Sequence, residues 1–258
     1  MKGTFIKQNL EFVLNTNGEN WIQGDKVSGS IALKNRNGGS SPENVEGALR
    51  VVLCYGDFKK VHSKSKNAWT VIDQFKTEKI SNVNPGEILE HKFEFKLAID
   101  APITDKGGSI YLLYGMEENL EELSHLQLLV DHNLMIAFFL ETVERFLRFK
   151  IKQKKFNKSG SFVDVKLEPP ATRELSSIDT MVCSLKIEEN RSLKVVYQFS
   201  LKTLDIVSGG QAELQKKKRE FVQELLPSDY CIYGNSPNYD VIKVKFQEII
   251  KEIIPRLL

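Results

Sequence analysis

The sequence predicts a mainly β protein: two antiparallel β-sandwich lobes, at 1–131 and 132–258, joined through a short amphipathic helix and closed by a C-terminal helix. Three observations carry this reading. Short segments of alternating polar and apolar residues, separated by turn signals roughly every dozen residues, fill positions 1–114. One stretch of the first two thirds, 132–147, carries its apolar residues at helical spacing. After Phe149 the strand alternation resumes. Strand following strand without interleaved helices favours a sandwich over βαβ units.

Taken in order, Leu10, Phe12 and Leu14 alternate with charged or small neighbours, and Asn15-Thr16-Asn17-Gly18 is a turn. Trp21 to Leu33 reads as the next strand around a Gly24-centred turn, with Val27, Gly29, Ile31 and Leu33 on one face. Asn35 to Pro42 is a loop by composition. Leu49–Tyr55 is a denser apolar strand, expected at the centre of a sheet, and Trp69–Phe75 follows a polar, basic stretch. Asn84-Pro85-Gly86-Glu87 suits a type II turn, because proline presets φ and glycine supplies φ > 0. Phe93, Phe95 and Leu97 then face inward while Glu94 and Lys96 face out, and Gly108–Tyr114 is the last strand of this run.

Leu120, Leu123, Leu126 and Leu129 recur every third residue beside an acidic cluster of Glu117, Glu118, Glu121 and Glu122. Asp131 is placed to cap a helix bearing Ile136, Phe139, Leu140, Val143, Phe146 and Leu147. This stripe is expected to pack at the lobe junction; any uncovered part would be a partner or dimer surface. Strands are expected at Phe149–Lys152, Phe162–Glu168, Met181–Ile187 and Leu193–Leu201, with a break at Ser208-Gly209-Gly210. Val241–Leu258, with Val244, Ile249, Ile250, Ile253 and Ile254, is expected to form the terminal helix, stopped near Pro255.

The 258 residues carry 36 basic and 34 acidic side chains, unevenly placed: 15 and 18 in residues 1–131, 21 and 16 in the remainder. That bias falls well short of a nucleic-acid footprint. The three cysteines, Cys54, Cys183 and Cys231, are scattered, and no apolar run has the length of a signal peptide or membrane span. A soluble cytoplasmic protein with reduced thiols is expected.

His62, His91, His125 and His132 show no metal-ligand spacing, and the bland reading of the last two, seven apart, is helix surface or capping. Cys54 and Cys183 sit mid-strand among apolar residues, where cysteine acts as a small core residue, while Cys231 reads as more exposed. A thiol-dependent enzyme using Cys231 or Cys54 is one alternative. A lipid- or carbohydrate-binding sandwich is another, although Trp21 and Trp69 fall within strands rather than on a sugar platform. No catalytic constellation, cofactor fingerprint or metal site is indicated. Three basic stretches are candidate contact surfaces: Lys59, Lys60, Lys64 and Lys66; Lys150, Lys152, Lys154, Lys155 and Lys158; and Lys216, Lys217, Lys218 and Arg219. Alternation along Phe149–Lys155 places Phe149 and Ile151 inside and the lysines outside. An acidic partner segment or an anionic lipid surface would suit such patches.

Gly24-Asp25-Lys26-Val27-Ser28-Gly29-Ser30-Ile31 resembles the P-G-x-x-V-x-G-x-V pattern near the start of arrestin-like domains. Asn84-Pro85-Gly86-Glu87, followed by Phe93–Leu97 and Ala101-Pro102-Ile103-Thr104, is similar to the P-G-E…F-x-F-x-L…P-x-T stretch of that superfamily, and Gly107–Leu113 fits the strand closing its first domain. With the helix at Leu134–Phe146 and Phe149-Lys150-Ile151 after it, residues 8–155 resemble the bacterial sporulation-control proteins of the stage-zero M type. Gln23, Ala98 and Tyr114-Gly115-Met116 depart from that family's pattern. The resemblance implies two arrestin-like lobes and a non-enzymatic regulator or adaptor that binds other proteins without a cofactor. A second copy of the chain and an anionic membrane are the further partners this reading admits; nucleic acid is not among them.

Overall fold

Every second side chain of Lys26–Asn35 is buried, as a strand with one wet face requires. The computed structural model of the chain describes residues 1–36, 43–206, 212–233 and 236–253, in two compact units, Met1–Asp131 and His132–Leu258. In the first, β1 (Lys2–Lys7), β2 (Leu10–Thr16), β4 (Lys26–Asn35) and β9 (Ile88–Lys96) form an antiparallel sheet in the order β1-β2-β4-β9. The facing sheet has the order β3-β11-β10-β6-β7, from β3 (Asn20–Ile22), β6 (Arg50–Asp57), β7 (Trp69–Lys76), β10 (Gly108–Gly115) and β11 (Ser124–Asp131). A short pair, β5 (Glu43–Gly47) with β8 (Ile80–Val83), completes the unit, and α1 (Phe58–His62) follows β6.

The core of this sandwich interleaves Leu14, Val27, Ile31, Phe93 and Phe95 of one sheet with Val51, Leu53, Ile110, Leu112 and Val130 of the other. Strands β6 and β10 are buried on both faces, since Val52, Cys54, Tyr111 and Leu113 meet Leu123 and the partly buried Phe58 and Trp69 on the far side. That is why both read as unbroken apolar runs; β10 is the middle strand, and β6, expected at the centre, lies inside the sheet between β10 and β7.

The two glycine turns do what their residues require. Gly86 has φ +75° and Glu87 N donates to Asn84 O at 3.0 Å, closing the turn before β9. Gly29 lies so close to β2 that a Cβ would sit 2.0 Å from Asn15 O. Gly24 (φ +94°) does more than turn the chain. Trp21–Leu33 is two strands: β3 pairs parallel with β11 in one sheet, and β4 pairs with β2 and β9 in the other. The crossing is held by Asp25, whose carboxylate accepts from Ile22 N at 2.9 Å.

In the second unit, β12 (Lys150–Asn157), β13 (Phe162–Glu168), β14 (Ile178–Ile187), β15 (Leu193–Ile206) and β16 (Ala212–Leu225) pair antiparallel in sequence order. One face buries Val165, Leu167, Met181, Cys183, Leu185, Val195, Tyr197 and Phe199. What covers that face, among the described residues, is helical: α2 (Leu134–Glu141), α3 (Pro227–Tyr230) and α4 (Tyr239–Ile253). Phe246 of α4 is the hub, with its ring centroid 5.3 Å from Phe149, 5.8 Å from Tyr197 and 6.1 Å from Phe139. The helix expected at 132–147 thus serves as a cover layer of the second unit.

Several local expectations change. Asn133, not Asp131, caps α2, accepting from Met135 N at 3.0 Å, because Asp131 still belongs to β11. The helix widens into a π turn over Thr142–Phe146, which leaves Phe146 half exposed while Ile136, Phe139, Leu140 and Val143 stay buried. Leu126 and Leu129 lie on a strand, so their spacing of three has no helical meaning. On α4 the buried residues are Ile242, Phe246, Ile249, Ile250 and Ile253, and Val244 faces solvent. The expected break at Ser208-Gly209-Gly210, positions 37–42 of the expected loop, and Ile254 with Pro255 lie outside the described residues.

Candidate functional site

Two of the three basic stretches form the outermost strands of the second unit's sheet. β12 carries Lys150, Lys152, Lys154 and Lys155; β16 carries Lys216, Lys217, Lys218 and Arg219. They occupy opposite edges, four strand spacings or about 19 Å apart, and so do not make one patch.

The expectation that the lysines of β12 all face outward is corrected at Lys154. The pairing with β13 shifts between Ile151 and Gln153, a bulge that adds one residue and reverses the parity of the rest of the strand. Lys154 now lies opposite Val165 on the covered face, half-buried, with Nζ 2.8 Å from Nε2 of the buried His132. Lys152 is paired with Glu168, whose carboxyl that ammonium holds below the usual range, and Lys150 lies opposite Glu168 in the register. Lys155 lies opposite Asp164. On β16 the period of two divides the cluster. Lys218 lies opposite Ser200 on the open face, and Arg219 lies opposite Phe199 on the covered one. Lys216 reaches Asp179 at 2.7 Å and lowers that carboxyl. Lysines, a bulge and an inward charge are devices that keep an edge strand from recruiting another strand.

The first unit differs. Among its outermost strands, β3 has three residues, β1 exposes Lys2, Ile6 and Lys7, and β9 exposes Ile88 at its start and then Glu90, Lys92, Glu94 and Lys96. β7 has eight residues, exposed from Thr70 to Gln74, with Val71 at 49% and Ile72 at 42% exposure. β6 pairs one side of β7, and among the described residues no strand pairs the other. Its one lysine, Lys76, is held by Glu118 at 2.8 Å, and Glu118 also receives Arg50 at 3.3 Å. At the opposite end, where Gly56 pairs with Trp69, the connection from β6 carries the third basic stretch. Asp57 caps α1 there by accepting from Lys59 N and Lys60 N, and Lys59, Lys60, His62, Lys64 and Lys66 are all exposed. Sequence reasoning placed this strand correctly but gave no sign that it was an edge, because edge position is a property of the pairing order.

The remaining candidate residues are dispersed. Cys54 and Cys183 are fully buried; burial pushes the Cys54 thiol up to about 12 and raises Cys183 well above its ordinary value. Cys231 is half-buried beside Met135, with Sγ 3.6 Å from Sδ, and burial raises it too. Each environment works against a thiolate at neutral pH, which a cysteine nucleophile needs. His125 lies on β11, not a helix, with its ring 5.6 Å from Trp69 and 5.7 Å from Tyr111. His132, also expected on a helix surface or cap, is buried next to Lys154. Trp21 is buried, and Trp69 is packed edge-on against Tyr111. No described helix is long and apolar enough to cross a membrane, and no group of three or more metal-ligating side chains occurs among the described residues.

No protein-family model and no curated protein matches the chain. Among solved structures, Spo0M, a sporulation control protein from Bacillus subtilis, aligns over 98% of this chain and 100% of its own, with TM-score 0.60 and 14% identity. β-Glucosidases from Erythrobacter marinus and Listeria innocua align over 47% and 49% of this chain and 15% and 17% of theirs, with 14% and 16% identity. Their TM-score of 0.28 carries no argument. The chain has a Spo0M-like fold: mainly β, antiparallel, with a C-terminal helix.

Proposed function

We propose that this chain is a non-enzymatic regulatory protein of the cytoplasm that acts by binding another protein, and that strand β7 is where it does so. The observation that carries the reading is the open edge of β7. An edge strand whose outer side no described strand pairs, and which exposes two branched apolar side chains, is suited to pair with an extended peptide. The peptide this edge fits has apolar residues alternating along its length and acidic residues at the end that lies beside Lys59, Lys60, Lys64 and Lys66. The likeness to a sporulation control protein over the whole chain supports a regulatory role.

The test is affinity capture from the native cytosol with the full chain and with a Val71→Lys/Ile72→Lys variant, followed by hydrogen exchange on the recovered complex. A partner should bind the parent chain, protect amides in Trp69–Lys76, and lose at least tenfold in affinity to the variant. Equal capture by both chains would remove β7 from the reading. Recovery of nothing above background by either would remove the regulatory reading itself.

A further inference from the structure

Strand β7 has a symmetry that its amino-acid order does not show. Ile72 is an extra residue against β6: Leu53 pairs with Asp73, and Cys54 with Val71. The bulge reverses the parity of the strand. Trp69 and Val71 therefore share the outer face of the sheet with Gln74 and Lys76, while Thr70 and Phe75 share the inner one. The packing agrees, since Trp69 rests on the outer cluster of Val52 and Cys54, and Phe75 on the sandwich core. An unbulged strand of eight residues cannot pair with its own copy along its whole length about a two-fold axis, because each outer side chain would fall opposite an inner one. The reversal removes that mismatch.

We propose that two copies of this chain pair β7 to β7, antiparallel about a two-fold axis between Ile72 and Asp73, and so join their sheets into one. The inference rests on the reading of β7 as a pairing edge and names what fills it. Trp69 lies opposite Lys76 of the second copy, Thr70 opposite Phe75, and Val71 opposite Gln74, with every facing pair on one side of the sheet. Charge runs the same way. At the Trp69 end, Lys59, Lys60, Lys64 and Lys66 are exposed. At the Lys76 end, Arg50, Lys76 and Lys79 surround Glu118 and Lys7 holds Glu117, while Glu121 and Glu122 of the same loop are exposed. Antiparallel pairing sets the lysines of each copy beside the acidic loop of the other. The contact is isologous and closed: it uses both edges, and no third copy adds to it. It also brings the two Asp73 carboxylates one diagonal step apart at the axis, where like charges oppose pairing.

Sedimentation velocity of the full chain, from micromolar to near-millimolar concentration, tests the proposal. The parent should pass from monomer to dimer and go no further. Val71→Lys/Ile72→Lys should stay monomeric, with unchanged far-ultraviolet dichroism. Asp73→Asn should tighten the dimer several-fold, a gain that a contact elsewhere on the chain would not give. Glu121→Lys/Glu122→Lys should weaken it several-fold, and Lys59→Glu/Lys60→Glu in the same chain should restore it. Monomer throughout for both the parent and Asp73→Asn, growth beyond the dimer, or a dimer that survives Val71→Lys/Ile72→Lys would each overturn the proposal. So would indifference of the dimer to Asp73→Asn or to the charge reversals. A chain that stays monomeric yet captures a cytosolic partner through β7 keeps the reading of the edge and loses this inference alone.

Discussion

The two units bury an antiparallel sheet in different ways, and their edges differ with the cover. In the first, sheet packs on sheet, and the residues that meet are alternate members of strands from both layers. In the second, one five-stranded sheet is covered by helices, and Phe246 gathers the rings of Phe139, Phe149 and Tyr197 among the buried aliphatic side chains. The outermost strands β7 and β12 are both eight residues long and both carry a register shift against their single neighbour. β12 presents four lysines, one turned inward by its bulge; β7 presents Val71 and Ile72. Since both strands are bulged, the contrast lies in the side chains: charges close the edge at β12, and at β7, where we propose that a partner strand adds, two branched apolar side chains are exposed.

The difference in cover predicts the largest effect. Phe246→Ala removes the ring that Phe139, Phe149 and Tyr197 share, and should cost about 3–5 kcal/mol. Urea unfolding followed by hydrogen exchange should show protection lost in β14 and β15 and kept in β6 and β10, which belong to a different core. Loss of protection in both sets would mean the two cores do not respond separately. The edges come next. Lys150→Val/Lys152→Val/Lys155→Val should turn β12 into a strand like β7 and raise the weight-average mass in sedimentation velocity above that of the parent chain. An unchanged mass would show that the bulge and the inward Lys154 suffice to shield this edge.

A smaller effect belongs to Arg148. A left-handed backbone costs a side-chain-bearing residue about 1–2 kcal/mol, part of which glycine returns as chain entropy. Arg148→Gly should therefore raise stability by about 0.5–1 kcal/mol in thermal unfolding. A loss of stability would show that contacts of the Arg148 side chain outweigh the backbone strain.

These contrasts were unequally legible in the sequence. Period-2 alternation located the strands, because one wet face leaves the same mark whatever lies opposite. For the same reason it could not say whether the cover was sheet or helix: Val165, Cys183 and Tyr197 alternate identically under either. The crossing at Gly24 was hidden because Trp21 and Val27 are buried on both sides of it. The inward turn of Lys154 depends on a bulge that only the pairing with β13 reveals. The two faces of β7 depend in the same way on the bulge at Ile72, which only the pairing with β6 reveals.

The smallest expected effect concerns the foot of β7. His125 is exposed along one side, yet its ring rests against Trp69 and Tyr111, and this partial loss of water lowers its pKa. A histidine whose folded pKa lies below its unfolded value of about 6.5 favours the fold above that value, and the contribution is lost as pH falls from there through the folded pKa. Protonation should then loosen Trp69, the first residue of β7, without unfolding the sandwich, since the main core lies on the other face of the sheet. Trp69 fluorescence, recorded in a Trp21→Phe chain between pH 7.5 and 5, should change with a midpoint below 6.5. The change should vanish in His125→Gln. Persistence of the transition in that variant would assign it to another group, and would leave the bare edge of β7 anchored independently of pH.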